Sequence, residues 1–528
     1  MKILVAAALD PAGLDLLKDV GEVEVLSSSV CTAERLRQAI VKTEVLIAGT
    51  RTPVNREVLA AGEDLRVIGL LGVGRPALDV EAATRRGVLV LNAPESVTVS
   101  VAEHALALIF GLARKVTMAD GMIKKGSWER QPLKGMELRK KVLGVIGFGS
   151  VGSLVASRAA GLEMEVIVCD PYLSTDMIER QGFRSVDLPA LLASADLITL
   201  HAPLNDETRG MIGTEALARM KRGVLLVNGS TPELIDETAL YDAVIKERVG
   251  GVALDLHRRE PLDRHPLYLS DRVICAPALS AYTEEALSGG SVELAKSVID
   301  YLQQAIITHA VNLPGGEKST PGDTLWLNLG EALGQFVSQL HPSGLREVTV
   351  QRAGEDDLPA LSAFTHAILA GLLRPVLGER VNRINARSLA EERGVRISEM
   401  RESMSANYRK LVTVKVITDR EEGEISGTLF DDRVPRIVRI DGFDLEAVPE
   451  GDFLVIFNLD RPGVIADVGE LLGRNGINIA RMYNGRDPAG EKAITLLCVD
   501  AAVSGEVLNE IRSFPNILSA LHVNLQGE

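Results

Sequence analysis

The chain has 528 residues, a formal net charge of −15 at pH 7, and a composition that is 46% hydrophobic and 24% charged. That length exceeds what one hydrophobic core serves and implies about three or four domains. The acidic balance excludes nucleic acid as a general partner, and the apolar content excludes a disordered chain.

Met1 to Leu9 is apolar but short and stops at Asp10, so it reads as a first strand rather than a targeting segment. Short β runs then alternate with helical patterns: KILVAA, Asp10 to Lys18, EVEVL, Thr32 to Val41, VLIAG, LRVIGLLG and VLVLNAP. This is the rhythm of a parallel sheet. Val99 to Arg114 is predicted as a long apolar helix, with Ser100 and Glu103 as its capping box. No uninterrupted apolar run has the length of a bilayer span, so no membrane partner is expected. Cys31, Cys169, Cys275 and Cys498 are scattered without metal-ligand spacing. They predict no metal site and fit a reducing cytoplasm, with Cys169 and Cys275 as core residues.

The rhythm resumes at Lys141, in KVLGVIGFGSVGSLVASRAAGLEMEVIVCDP. Val142 to Ile146 reads as a buried strand, followed at once by Gly147, Phe148, Gly149, Ser150, Val151 and Gly152, then by a small-residue helix. A second apolar run, Glu165 to Cys169, ends at Asp170. Each part suits a dinucleotide. Gly147 makes the turn, Gly149 lets backbone approach a pyrophosphate, and Gly152 lets helix and strand pack closely. The free N–H groups and positive end of the helix face the phosphates. Asp170 accepts the ribose hydroxyls and repels a 2′-phosphate, so NAD(H) is expected over NADP(H). The strands VIVCD, LITLHAPL, GVLLVNGS, GGVALDL and VICAPAL complete a second βα domain, and helix Ser288 to Leu302 returns to the first. The expected fold class is α/β, with two Rossmann-like βα domains around a cleft.

Gly315 to Asp323 is a linker by composition. Beyond it come a helix around Leu325 to Leu340, strand EVTVQ, helices from Leu358 to Leu373, and strands LVTVKVI, EISGTLF and RIVRIDGF. After a break at Val448 to Asp452 the tail reads strand–helix–strand–strand–helix–strand, a ferredoxin-like βαββαβ module. The expected domains are 1–98 with 286–314, then 99–285, an α+β domain over 315–448, and 452–528.

Several motifs carry a family resemblance. They are Asn92-Ala93-Pro94 with Ala102 to Leu108, the glycine fingerprint, His201-Ala202-Pro203-Leu204 with Glu207-Thr208-Arg209-Gly210, and Pro375 to Glu379 with Arg436 to Phe443. Asp460-Arg461-Pro462-Gly463 and Gly476-Ile477-Asn478-Ile479 complete the set. Together they resemble the long-form D-3-phosphoglycerate dehydrogenases of the D-2-hydroxyacid dehydrogenase family, with intervening and ACT domains, over essentially the whole chain. The resemblance implies an oxidoreductase with NAD as cofactor, held by Gly147, Gly149, Ser150, Val151, Gly152, Asp170, His201, Pro203 and Asp255. It implies a phosphorylated 2-hydroxy acid as small-molecule substrate, at the head of L-serine synthesis. It also implies L-serine as effector on Asp460 and Asn478, and a homo-oligomer.

The same resemblance exposes departures. The family uses a histidine as base, a glutamate to orient it and an arginine to hold the substrate carboxylate. Asp255 to Pro261 keeps the glutamate as Glu260, but Asn228-Gly229-Ser230-Thr231 has Thr231 in the arginine's place. Val273 to Leu279 has Ala278 in the histidine's place. The substrate loops read Gly49-Thr50-Arg51-Thr52 and Gly72-Val73-Gly74-Arg75-Pro76-Ala77, and Val97 replaces an expected asparagine. His257 is the candidate substitute base, with Arg51, Arg75, Arg258 and Arg259 as candidate cations. The plainer reading makes His257 a loop residue and the arginines a solvated face, and His104 and His265 structural. The expected function is the family reaction with impaired catalysis. The alternatives are a silent NAD- and amino-acid-binding homologue, partnering an active paralogue, or a dehydrogenase rebuilt for another 2-hydroxy acid.

Overall fold

In the computed structural model, which describes residues 1–27, 31–72, 76–258, 265–313, 321–354, 358–402 and 407–525, the first βα run folds as a five-stranded sheet. Its order is Glu22–Val25, Lys2–Ala6, Val45–Gly49, Val67–Leu71 and Leu89–Asn92, all parallel. Near-continuous apolar strands follow from burial on both faces. Leu4, Leu46, Ile68 and Val90 serve one core, while Ile3, Val45, Val67 and Leu89 serve the other. Asp10, Thr32, Asn55 and Asp79 start the four helices, each side chain accepting an N–H from two or three residues onward.

The second sheet has seven parallel strands, in the order Val273–Cys275, Val249–Leu254, Val224–Asn228, Leu197–Leu200, Val142–Ile146, Glu165–Cys169 and Arg184–Ser185. The chain winds from Val142–Ile146 to one side and later returns on the other, beside Leu197–Leu200. Ligands of such sheets bind beyond the carboxyl ends of the strands at this switch point. Gly147 and His201 stand there.

Two long helices tie the two sheets together. The first begins at Glu95 rather than Val99, so the expected capping box at Ser100 and Glu103 does not form. Glu293 of the other crossover helix, Glu284–Gln304, instead accepts the N–H groups of Glu95 at 3.3 Å and Ser96 at 2.8 Å. A carboxylate brought in by tertiary packing satisfies the leading donors and helps the helix start a turn earlier. Ser100 lies inside it, its Oγ 2.8 Å from Thr283 Oγ1, and Glu103 pairs with Arg158 at 3.3 Å. Both helices run unbroken through the boundaries drawn at 98/99 and 285/286.

Beyond residue 320 a six-stranded mixed sheet runs Arg396–Glu402, Leu345–Gly354, Lys410–Thr418, Glu422–Phe430, Val434–Ile440 and Phe443–Ala447. Helices Pro321–Leu340 and Leu361–Leu377 pack together over it. The linker expected at Gly315 to Asp323 lies mostly outside the described residues, and its last part belongs to the first of these helices. The final module is the expected four-stranded antiparallel sheet with helices Val464–Arg474 and Gly505–Arg512. The other face of that sheet is not free. Phe453, Val455, Ile494, Leu496 and Val523 join the core of the preceding domain, and the Phe336 and Phe453 rings meet edge to face at 5.8 Å. Segments 321–447 and 451–525 thus share one core.

The segments Glu95–Arg114 and Leu361–Arg380 have the length and hydropathy of bilayer spans, contrary to the expectation from run lengths. Both have core faces, with Ala102, Ala105 and Ile109 buried in one and Phe364, Ile368 and Leu369 in the other.

Candidate active site

The dinucleotide loop has the geometry its sequence predicts. Gly147 has φ +89°, and a Cβ there would lie 2.6 Å from the Ala202 nitrogen. A Cβ on Gly152 would lie 2.0 Å from the Gly147 carbonyl oxygen. Gly149, by contrast, faces open space, where a diphosphate has room. The helix Ser150–Gly161 that follows has no side-chain cap, unlike the four capped helices of the first domain, so its leading N–H groups are left for an anion. Asp170 stands at the end of the neighbouring strand. Its carboxylate accepts the N–H groups of Phe148 at 2.8 Å and Tyr172 at 2.9 Å, which fixes its direction. Spare lone pairs remain for a ribose. These residues fit NAD.

Opposite this loop His201 accepts or donates at 2.9 Å to Thr199 Oγ1, and burial lowers its pKa to about 4, keeping the ring neutral. Pro203 lies just beyond it, exposed. One cluster had no signal in sequence: Glu207 Oε2 is 3.4 Å and Asn205 Nδ2 3.3 Å from the Tyr172 hydroxyl. These groups lie far apart in the chain and meet only through the switch-point crossing.

Three adjacent strands bring the remaining positions together. Asn228, Leu254 and Cys275 are register partners at the strand ends, and Thr231, His257 and Ala278 each lie three residues beyond. Asn228 shapes its loop by accepting the Ser230 N–H at 3.0 Å and donating to the Thr231 carbonyl at 3.1 Å. Thr231 Oγ1 is buried without a hydrogen-bond partner among the described residues. Ala278 has φ +56°, and its N–H bonds the Asp255 carbonyl at 2.9 Å.

Asp255 is the fully buried keystone of this corner. Its carboxylate accepts the N–H groups of Leu279 at 2.8 Å and Ser280 at 3.0 Å, and His104 Nε2 lies 3.2 Å away. Burial alone would raise its pKa, but His104, Ser280 and Leu279 outweigh it and bring the value to about 2. The candidate substitute base His257 is otherwise engaged. Its Nε2 is 2.9 Å from the Ala276 carbonyl, its Nδ1 is buried, and its ring packs edge-on against Tyr268 at 5.4 Å. Arg258 donates to the Ile235 carbonyl at 3.0 Å, and Arg51 is exposed. Glu260, Arg259 and Arg75 lie outside the described residues.

In the first domain, Thr52 Oγ1 donates to the Ala6 carbonyl at 2.8 Å and accepts the Gly49 N–H at 2.9 Å, so it shapes its loop. Glu95, Glu293 and His309 form a group that could hold a metal ion, which the cysteine spacing did not suggest. In the last module Asp460 pairs with Arg486 at 2.8 Å, and the exposed Asn478 is anchored by its N–H on Asp500 at 3.0 Å.

Comparison with known proteins agrees with this architecture. Residues 106–280 match the D-isomer specific 2-hydroxyacid dehydrogenase NAD binding domain, 324–441 the D-3-phosphoglycerate dehydrogenase intervening domain, and 453–516 the ACT domain. The D-3-phosphoglycerate dehydrogenase of Archaeoglobus fulgidus is 38% identical, over 99% of this chain and 100% of its own length. That of Methanocaldococcus jannaschii is 36% identical over 99% and 100%. Among solved structures, apo D-lactate dehydrogenase from Escherichia coli superposes with a TM-score of 0.52 at 26% identity, covering 59% of this chain and 100% of that one. The chain belongs to the D-3-phosphoglycerate dehydrogenase family, within the D-isomer-specific 2-hydroxyacid dehydrogenases.

Proposed function

We propose that this protein binds NAD(H) and is built for the interconversion of 3-phosphoglycerate and 3-phosphohydroxypyruvate, the first step toward L-serine, with catalysis strongly impaired. The observation that carries the reading is the row Thr231, His257, Ala278 at three register-matched strand ends. Bound NAD would exchange a hydride with the substrate carbon. The protein's part is to move the hydroxyl proton and to hold the carboxylate. Ala278 has no group to take a proton, and Thr231 offers a neutral hydroxyl where a fixed cation is needed. Removing a general base costs about a hundred- to ten-thousand-fold in rate. Loss of a charge-assisted carboxylate contact costs roughly a further 1.5–3 kcal/mol. Steady-state oxidation of NADH with 3-phosphohydroxypyruvate tests the reading.

A second reading is favoured by the contrast between an intact cofactor half and an altered substrate half: an NAD- and amino-acid-binding regulatory homologue, working beside an active paralogue. A site rebuilt for another 2-hydroxy acid is the remaining alternative. All three need the cofactor. Asp170→Ala should weaken NADH by about tenfold and narrow its advantage over NADPH, because the ribose acceptor and the repulsion are lost together. Calorimetric titration of both nucleotides checks this; wild type that takes up no NADH removes the basis of every version.

The domain division carries over as part of the proposal: 1–98 with 286–314 for substrate, 99–285 for NAD, 315–448 intervening, and 452–528 regulatory. The regulatory module is proposed to take L-serine between Asp460 and Asn478, in a cytoplasmic homo-oligomer. Helix Val116–Lys124 supports assembly, since it buries none of its residues and leaves Val116, Ile123 and nearby Trp128 exposed. The amino group of an effector must compete with Arg486 for Asp460. L-serine at millimolar concentration should raise the unfolding temperature of wild type, and Asp460→Ala should abolish the shift. No shift in wild type would leave the module a purely assembling role.

A further inference from the structure

The junction of the intervening and ACT domains holds a solvent-accessible cavity of about 570 Å³, within the size range of small-molecule sites. It opens where the C-terminal ends of helices Pro321–Leu340 and Leu361–Leu377 meet the strand Lys410–Thr418. Its walls include Val337, Leu372, Leu373, Val395 and Val416, all at least nine-tenths buried. Val376 at the mouth is a large apolar side chain left 77% exposed.

The ionisable residues of the lining are Arg393, His341 and His522; no carboxylate is among them. Arg393 is the one permanent cation of that lining. The two histidines are already paired with carboxylates. His341 lies 3.1 Å from Asp441 and 3.2 Å from Glu421, and His522 lies 3.0 Å from Asp452. Arg393 is different. It is exposed, it donates to the Leu389 carbonyl of its own helix at 3.0 Å, and it has no ion pair among the described residues. A guanidinium at the rim of an apolar chamber can receive a carboxylate while the chamber takes a hydrocarbon body.

We propose that this cavity is a binding site for a monocarboxylate with an apolar chain, its carboxylate on Arg393 and its chain between the two helix ends. The site is separate from the NAD cleft and from Asp460 and Asn478. It touches both domains, because His522 belongs to the last ACT strand and Gln339 bonds the Asn524 N–H at 3.0 Å and its carbonyl at 2.9 Å. A ligand seated there braces that strand against the helix.

Octanoate titrated calorimetrically into the full-length protein is the test, with octylamine as the charge control. Octanoate should bind saturably and octylamine should not. Arg393→Gln should weaken octanoate about tenfold, the loss of one charge-assisted contact. Val376→Asp, a change at a 77% exposed position, should weaken it at least as much by placing a like charge at the mouth. Absence of saturable binding up to about 5 mM octanoate overturns the proposal. So does equal binding of octylamine, or binding that neither variant alters.

Discussion

Wild-type protein is expected to reduce 3-phosphohydroxypyruvate with NADH at no more than about a thousandth of an ordinary dehydrogenase rate. On the proposed reading, the deficit lies in side chains rather than in the frame. Ala278 sits at φ +56°, in the left-handed region that histidine visits more readily than most residues, and its backbone is tied to Asp255. The loop therefore still presents that position as a base would require. Thr231 is likewise held in place, since Asn228 fixes its loop from below. Restoring both groups, Thr231→Arg with Ala278→His, should raise the rate by about ten- to a hundredfold, short of full recovery. Gly49, Ala77 and Val97 still leave the substrate loops altered. His257→Ala should change nothing, because Nε2 is taken by the Ala276 carbonyl and Nδ1 is buried. Measurable turnover lost in His257→Ala would instead mean that this ring swings into the cleft as the base. An ordinary turnover number in wild type would refute the impaired reading outright.

The parts legible in the sequence were those with a local cause. Apolar runs broken by turn residues gave the strands of both parallel sheets except the two-residue edge strand Arg184–Ser185, and the fingerprint gave the loop, because its glycines answer contacts within the same unit. What sequence could not show arises between distant segments. The helix at Glu95 starts early because Glu293, some two hundred residues on, accepts its first N–H groups. The strand Arg396–Glu402 was missed because it is a sheet-edge strand, exposed and charged, with no apolar alternation. The last module reads as separate by its βαββαβ pattern, yet Phe453 and Val523 face outward into a neighbouring core. At the candidate site, residue types left His257 either a substitute base or a plain loop residue, and only the Ala276 contact shows how the ring is used. The pairing of His104 with Asp255 needed the helix to be docked first.

That pairing leads to the second large effect. Asp255→Ala is expected to destabilise the NAD-binding half by about 3 kcal/mol at pH 7. Substitution leaves the Leu279 and Ser280 N–H groups and the His104 ring without their common acceptor in a fully buried place. The pH dependence has a definite sign. The carboxyl titrates at about 2 in the folded protein, below its ordinary value of 3.8. Folding therefore gains from ionisation, by on the order of 2 kcal/mol, wherever the pH lies above the unfolded value. That gain is full at neutral pH, begins to fall below about pH 4, and is gone near the folded pKa. Scanning calorimetry can follow it through the transition that NADH raises, which marks the half to be watched. Wild type and Asp255→Ala should differ by a constant amount from pH 8 to about 5, and the difference should shrink below pH 4. His104→Ala should remove a smaller share, since the two backbone donors remain. A variant as stable as wild type at pH 7 would mean that the 278–280 loop holds itself. NADH affinity should fall with Asp255→Ala as well, because that loop follows the carboxyl end of strand Val273–Cys275, in the sheet that carries the dinucleotide loop.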